Sequence, residues 1–413
     1  MAVSAPTRSQ VLAARGGVYA VFALAGVEFA AWASRIADAK AELHLTPGQL
    51  GATLFAASLG SLLSLPSAGR VAHRYGVVRA ILVGILMATV GSGVLGLGVD
   101  VWHSRLVVAG GLLLLGVGVG VWDVSMNLEA ATVERLLGQS IMPRFHAAFS
   151  AGTVASALIG SVMSWARVGV ATHLIVSALL VLAAGVGSLR LFLPRAVEAE
   201  DDAVGGAVPV PDAGAEPAGS PGHGSAWLEP RILLVGVVTL VAAFTEGTAN
   251  DWLAVAFVDG HGTPAWAGVL AFATFLTSMT VGRIVGTGLL DRYGRVPVLR
   301  ACFATAVVGS LLVVVAPVAL AYAGAVLWGL GVALGFPVGM SASADDPARA
   351  PARMSVVATI GYLAFIAGPP ALGFLGDTVG VLHALLAVGT MALLVQAVLP
   401  AVREPRLQPD PVP

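Results

Sequence analysis

Apolar stretches of about twenty residues recur down the whole chain, and this pattern removes most of the folds open to a polypeptide. A helix of that length crosses about 30 Å of hydrocarbon, and within lipid only helices or closed barrels satisfy every backbone polar group. The stretches run at about 17–38, 49–68, 77–98, 106–127, 145–165 and 172–193, then at about 232–257, 266–287, 298–315, 319–341, 355–375 and 381–400. Barrel strands would read instead as short alternating segments. The expected fold is an all-α membrane protein with twelve transmembrane helices in two six-helix bundles. Composition agrees, since 57% of the 413 residues are hydrophobic and only 11% charged, against roughly a quarter charged in soluble domains.

The two bundles read as copies. The interval from Glu28 to Glu246 equals that from Gly76 to Gly294, and it also superposes Arg74-Tyr75 on Arg292-Tyr293. In each half the glutamate sits midway along the first span and the Arg-Tyr-Gly cluster follows the second. Thr46-Pro47-x-x-x-Gly51 matches Thr263-Pro264-x-x-x-Gly268 one residue out of step, which implies a small indel between spans one and two. Repetition of whole bundles is a signature of secondary transporters. The expected domains are an N-terminal bundle over 1–195, a linker over 196–230, and a C-terminal bundle with a short tail over 231–413. The linker is rich in Ala, Gly and Pro and carries seven acids with no Lys or Arg; it cannot build a core and is expected to be a disordered tether.

Orientation follows from the cations. With the N-terminus inside, cytoplasmic segments collect Arg70, Arg74, Arg79, Arg135, Arg144, Arg292, Arg295 and others, while the outer loops hold only Lys40, Arg105 and Arg167. Both termini are then cytoplasmic by the positive-inside rule. The first span lacks a small-residue cleavage pattern and reads as a retained helix rather than a signal peptide. The expected location is a bacterial inner membrane, as a multi-pass monomer without a nucleic-acid partner. The single cysteine, Cys302, lies inside a span, which excludes an intrachain disulfide and a Cys-based zinc site. No Walker Gly-Lys-Ser/Thr loop occurs, so ATP is not the expected energy source. Neither a nucleophile with its base nor metal-ligand spacing is evident, and no enzyme activity, cofactor or metal is expected.

Gly69-Arg70-Val71-Ala72-His73-Arg74-Tyr75-Gly76 and Asp291-Arg292-Tyr293-Gly294-Arg295 resemble the Gly-x-x-x-Asp-Arg-x-Gly-Arg loop signature of the major facilitator superfamily. The resemblance extends over all twelve spans and implies the major facilitator fold. His73 occupies the acidic position of the first copy, and Thr287 stands where the second copy would begin with glycine. In that family the acid and its arginines latch the bundles on the cytoplasmic side. The resemblance therefore implies a latch formed by Gly69, His73, Arg74 and Gly76 with Asp291, Arg292, Gly294 and Arg295, asymmetric because of His73. Ser125-Met126-Asn127-Leu128-Glu129, Phe145-His146-Ala147-Ala148-Phe149-Ser150-Ala151-Gly152, Glu246-Gly247-x-x-x-Asp251-Trp252 and Gly361-Tyr362-x-x-x-x-x-Gly368-Pro369-Pro370-x-x-Gly373 are similar to the MosC-like branch. That likeness implies transport more firmly than any substrate.

Acids at the bilayer centre cost on the order of 2.5–3.5 kcal/mol on insertion scales and persist with a partner or a task. Glu28, Trp32 and Arg35 follow at helical spacing and offer an acid, an aromatic platform and a cation, which suits a polar ring-shaped solute. Glu246 and Asn250 stand one turn apart in span seven, with Asp251 and Trp252 just beyond. Asp123 and Asn127 form a stripe in span four that continues to Glu134. By resemblance, spans one, four, seven and ten line the cavity. Trp32, Arg35, Asp123, Asn127, Asn250, Asp251, Trp252 and Tyr362 are the candidate solute ligands, and Glu28 and Glu246 the candidate proton carriers. Glu129 and Glu134 also read as headgroup-level residues beside Arg135, and Arg283 of span eight also reads as snorkelling. Pro66, Pro337, Pro369 and Pro370 are expected to bend or break spans two, ten and eleven.

The function expected is proton-coupled secondary transport of a small polar organic solute, sugar-like or cyclitol-like, by alternating access in the lipid bilayer. The alternatives are a drug-exporting proton antiporter and a non-transporting membrane sensor built on the same fold.

Overall fold

The computed structural model of the chain describes residues 6–139, 141–193, 225–346 and 349–404. The expected tether lies outside these residues except for 225–230, where a short 3-10 turn, Ala226–Leu228, leads into the seventh span. All secondary structure among the described residues is helical. Among the described residues eleven helical segments are long and apolar enough to cross a membrane, and the twelfth position holds a shorter apolar segment, Val381–Ala397.

The first span comprises α1 (Arg8–Ala33) and α2 (Ile36–Glu42), and spans two to six are α3 (Pro47–Tyr75), α4 (Val77–Asp100), α5 (Arg105–Leu137), α6 (Met142–Trp165) and α7 (Val170–Leu189). Spans seven to nine are α8 (Pro230–His261), α9 (Ala265–Tyr293) and α10 (Arg295–Val315). Span ten is divided into α11 (Val318–Val332) and α12 (Gly335–Ser343), span eleven is α13 (Ala350–Val379), and the twelfth segment opens with α14 (Val381–Ala384) and α15 (Leu386–Leu394).

Packing divides the described chain into two compact units. One unites the described residues within 1–210 with Asn250–Leu276 and Pro369–Ala384; the other unites the described residues within 211–249, 277–368 and 385–413. The core of the first gathers Phe22 of α1, Ile81 and Ile85 of α4, Trp122 of α5 and Phe145 of α6, all nearly or wholly buried. Phe145 is ringed by Tyr19 and Phe22, with centroids 4.7 and 5.7 Å away. The stretch from Phe145 to Gly152 thus packs span five on span one. Gly26 and Gly152 permit that approach, because a Cβ on either would run into a backbone carbonyl of the facing helix.

The repeated motifs have local causes. Thr46 caps α3 through a reciprocal capping box with Gln49, and Pro47 fills the first turn, where its missing N–H costs nothing. Gly76 and Gly294 end α3 and α9 with φ of 88° and 79° and ψ of 149° and 167°, a region open almost only to glycine. The preceding Arg-Tyr pairs match too: the Arg74 guanidinium lies 5.7 Å from the Tyr75 ring and that of Arg292 lies 5.1 Å from Tyr293.

The prolines act unequally. Helix α3 runs unbroken through Pro66 and α13 through Pro369 and Pro370, whereas span ten is interrupted at Ala333 and Leu334, just before Pro337. Span one breaks at Ser34 and Arg35 without Pro or Gly. There Ser34 Oγ donates back to Ala31 O at 3.0 Å, and Arg35 has φ −112° and ψ 4°.

Within the first unit, several contacts join the ends of the spans remote from the Arg-Tyr-Gly turns. Lys40 pairs with Asp259 at 2.8 Å, Ser161 Oγ donates to Trp266 O at 2.8 Å, and Gly48 N–H donates to Asp377 Oδ1 at 2.9 Å.

Candidate functional site

Glu28 is 2% exposed and lies inside the N-terminal bundle, where Ser92 Oγ of α4 donates to its Oε1 at 2.6 Å. Its other oxygen is buried and makes no hydrogen bond among the described residues. Trp32 follows, 8% exposed. Arg35 does not continue their face, because the helix has broken by then: its Nη2 donates to Val168 O at 2.6 Å and its Nε pairs with Asp38 at 3.0 Å. The cation expected beside Glu28 is therefore used to clamp the loop between spans five and six.

Glu246 is differently placed. Arg283 of α9 directs Nη2 at both of its oxygens, each at 3.0 Å, and the side chains of the pair remain 33% and 19% exposed for Arg283 and Glu246. Arg283 Nε reaches Ala333 O, at the break in span ten, at 3.4 Å. Trp328 of α11, fully buried, donates from Nε1 to Thr245 O at 3.3 Å and pins span ten to span seven beside the acid. Arg283 thus pairs with an acid instead of snorkelling to a surface.

Asn250 stands one turn beyond Glu246 on α8, its Oδ1 buried and without a hydrogen bond among the described residues. The Trp252 Nε1 is in the same condition, and Asp251 is half-buried. In α5, Asp123 is exposed and receives Asn127 Nδ2 at 2.9 Å on its backbone carbonyl and 3.4 Å on Oδ1. Tyr362 is 42% exposed on α13, its ring 6.4 Å from that of Phe365.

Glu129 and Glu134 serve the bundle. Glu129 Oε1 accepts from Leu193 N at 3.1 Å in a buried setting, and Glu134 Oε2 accepts from Ile141 N and Met142 N at 2.6 and 2.5 Å, capping α6. Glu134 thereby neutralises two of the orphan donors that any helix start leaves.

Among the latch residues, Gly69, His73 and Arg74 lie on the last turns of α3, with His73 and Arg74 exposed, and Asp291 and Arg292 are exposed at the end of α9. Arg295 begins α10 and is held within its own unit: Nη1 donates to Asp345 Oδ1 at 2.7 Å, and its backbone N–H donates to Glu404 Oε1 at 2.6 Å. Arg231 Nη2 donates to the other oxygen of Asp345 at 2.5 Å. Glu229, counted with the tether, instead binds Arg349 and Arg353 at 2.6 and 2.8 Å.

Three partners escaped the reading of the sequence: Ser92, Arg283 and Asp345. For Ser92 a signal existed, since the interval relating Glu28 to Glu246 also relates Ser92 to Ser310. Ser310 has kept the residue type but donates to Val307 O, leaving Glu246 to the guanidinium.

Repeated helical halves, spans interrupted within the bundle and a charged pair held inside one half define the architecture of a helical membrane transporter. The family model described as Major Facilitator Superfamily matches residues 235–413. An uncharacterised transporter, y4wD, of Sinorhizobium fredii is 30% identical over 94% of this chain and 98% of its own length. An uncharacterised MFS-type transporter of Yersinia pestis is 28% identical over 92% and 93% of the two chains. Membrane protein MosC of Rhizobium meliloti is 24% identical over 91% of this chain and 86% of its own. The crystal structure of the nucleoside transporter NupG superposes with a TM-score of 0.73 at 14% identity, covering 95% of this chain and 98% of that one, a likeness of fold. The chain belongs to the major facilitator superfamily and is a multi-pass membrane transporter of that type.

Proposed function

We propose that this transporter is secondary active and proton-coupled, and that it moves a small polar organic solute by alternating access. The reading is carried by Glu28, an ionisable group 2% exposed inside a span whose hydrogen bond comes from a neutral hydroxyl, Ser92. Burying a neutral acid costs far less than burying a carboxylate, so a cycle that alternately wets and dries this group loads and releases a proton. The solute site is assigned to Glu246 and Asn250, with Trp32, Asp123, Asn127, Asp251, Trp252 and Tyr362 as further candidate contacts, and Glu246 as the second candidate for coupling. Arg35 retains candidate status as a ligand only if its clamp on Val168 opens during the cycle.

The loop residues Gly69, His73, Arg74, Gly76, Asp291, Arg292, Gly294 and Arg295 are assigned to a cytoplasmic latch, with both termini on that side of an inner membrane. On this orientation Lys40–Asp259 and Gly48–Asp377 close the outer side. Residues 1–195 and 231–413 are then the two rocking bundles, and the segment between them the tether. Proteoliposomes carrying the purified protein and a solute library test the reading: an imposed proton gradient should drive accumulation that a protonophore abolishes. Uptake that only equilibrates the solute, with or without the protonophore, would remove proton coupling and leave a facilitator.

A further inference from the structure

Ala333 and Leu334 keep right-handed helical dihedrals across the break in span ten, and Pro337 lacks the N–H that would otherwise carry the helix through by bonding the carbonyl four residues earlier, that of Ala333. Arg283 reaches that carbonyl from α9 through Nε at 3.4 Å, while Nη2 of the same planar group faces both oxygens of Glu246 at 3.0 Å. Contacts at two of its nitrogens, Nε and Nη2, fix the plane of a guanidinium as well as its position. The carbonyl released by the proline thus sets the angle at which the cation meets the acid. Trp328, bonded to Thr245 O, holds spans seven and ten in the register this requires.

Resting on the transporter reading above, we propose that Arg283 is the specificity-determining cation of the solute site, that Pro337 positions it through Ala333, and that the Glu246–Arg283 pair takes an uncharged solute with adjacent hydroxyl groups. A carboxylate accepts hydrogen bonds and a guanidinium only donates. Neighbouring hydroxyls meet both demands, one donating to Glu246 and the next accepting from Arg283, without separating the charges. An anionic solute would draw Arg283 away and leave Glu246 as an uncompensated charge within the span, and a cationic one would do the reverse; breaking such a pair is strongly unfavourable. Both side chains are partly exposed, 33% and 19%, so the pair is not sealed within the packing.

The test uses the full-length protein in detergent, with thermal unfolding followed against myo-inositol, D-mannitol, D-gluconate and tetraphenylphosphonium over a concentration series. At least one of the two polyols should raise the unfolding midpoint, and the two ions should not. Arg283→Lys keeps the charge but loses the fork, and should weaken the polyol at least about tenfold, the loss of one charge-assisted hydrogen bond. Pro337→Ala returns a donor to Ala333 and should weaken it by a similar factor while the midpoint without ligand stays the same or rises. A purely structural proline would instead lower that midpoint. The proposal is overturned if only an ion stabilises the wild type, if no probe does, or if both variants bind the polyol as the wild type does. Counterflow of the bound polyol in proteoliposomes separates the two levels: binding with these mutational losses but no flux would sink the transport reading and leave the site assignment standing.

Discussion

Asp377 and Gly48 are joined by a hydrogen bond in which the carboxylate Oδ1 accepts the glycine's backbone N–H at 2.9 Å. The acid comes from near the end of α13 and the N–H from the first turn of α3, so a negative charge sits at a helix N-terminus, where the dipole favours it. A Cβ at position 48 would collide with the carboxylate, which explains glycine beside the cap Thr46 and Pro47.

Removing this contact should loosen the outer closure. Asp377→Ala forfeits about 1 kcal/mol, the usual scale for a lost cap, and should raise the open population about fivefold. In a Cys302→Ala background, a cysteine at the buried Leu50 should then react with a maleimide faster by that factor. An unchanged labelling rate would mean the contact is incidental to closure.

His73→Asp should act at the opposite end. The resemblance assigns this position to an acid of the cytoplasmic latch, and restoring the acid should favour the state closed on that side. The same Leu50→Cys reporter should label a few-fold faster, and Asp291→Asn should slow it. No response in either variant would remove the latch assignment.

Glu134 should matter to stability rather than to transport. It caps α6 through two backbone N–H groups, so Glu134→Ala should cost about 1–2 kcal/mol, while Glu134→Gln, which keeps an acceptor, should cost less. Thermal unfolding of the purified variants checks the order, and equal midpoints for Ala and Gln would show that the cap contributes little.

The repeated glycines should be intolerant of any side chain. Gly294→Ala must hold a φ of 79° that alanine resists at about 1–3 kcal/mol, and Gly76→Ala faces the same demand. Both variants should yield less folded protein in fluorescence-detected size exclusion. Full yield from either would show that the turn can relax.

Much of this was legible in the sequence because it is local or periodic. Span length follows from the hydrocarbon thickness, and the copies of Glu28, Arg74-Tyr75-Gly76 and Thr46-Pro47 reflect conformational demands repeated in each half. The match of Thr46 to Thr263 did not carry the cap with it: Thr46 caps its helix, whereas the Thr263 hydroxyl is buried and makes no hydrogen bond among the described residues. What escaped was long-range pairing. Nothing in the spacing of span eight says that Arg283 meets Glu246, and nothing near Arg35 says that it will bond Val168, because those neighbours are chosen by helix packing. The break at Ser34 was equally hidden, since it lacks the Pro or Gly that marks most helix interruptions.

The repeated acids bear the central claim, and their Gln variants test it most directly. Glutamine keeps the size and hydrogen bonding of glutamate but cannot titrate. With solute flux measured in proteoliposomes, Glu28→Gln should abolish accumulation driven by a proton gradient while leaving solute exchange at equilibrium near the wild-type rate. Glu246→Gln should weaken exchange itself at least about tenfold, because Arg283 loses its charged partner. Full gradient-driven accumulation in both variants would contradict the account, moving the proton to another group and leaving Glu28 and Glu246 as packing residues.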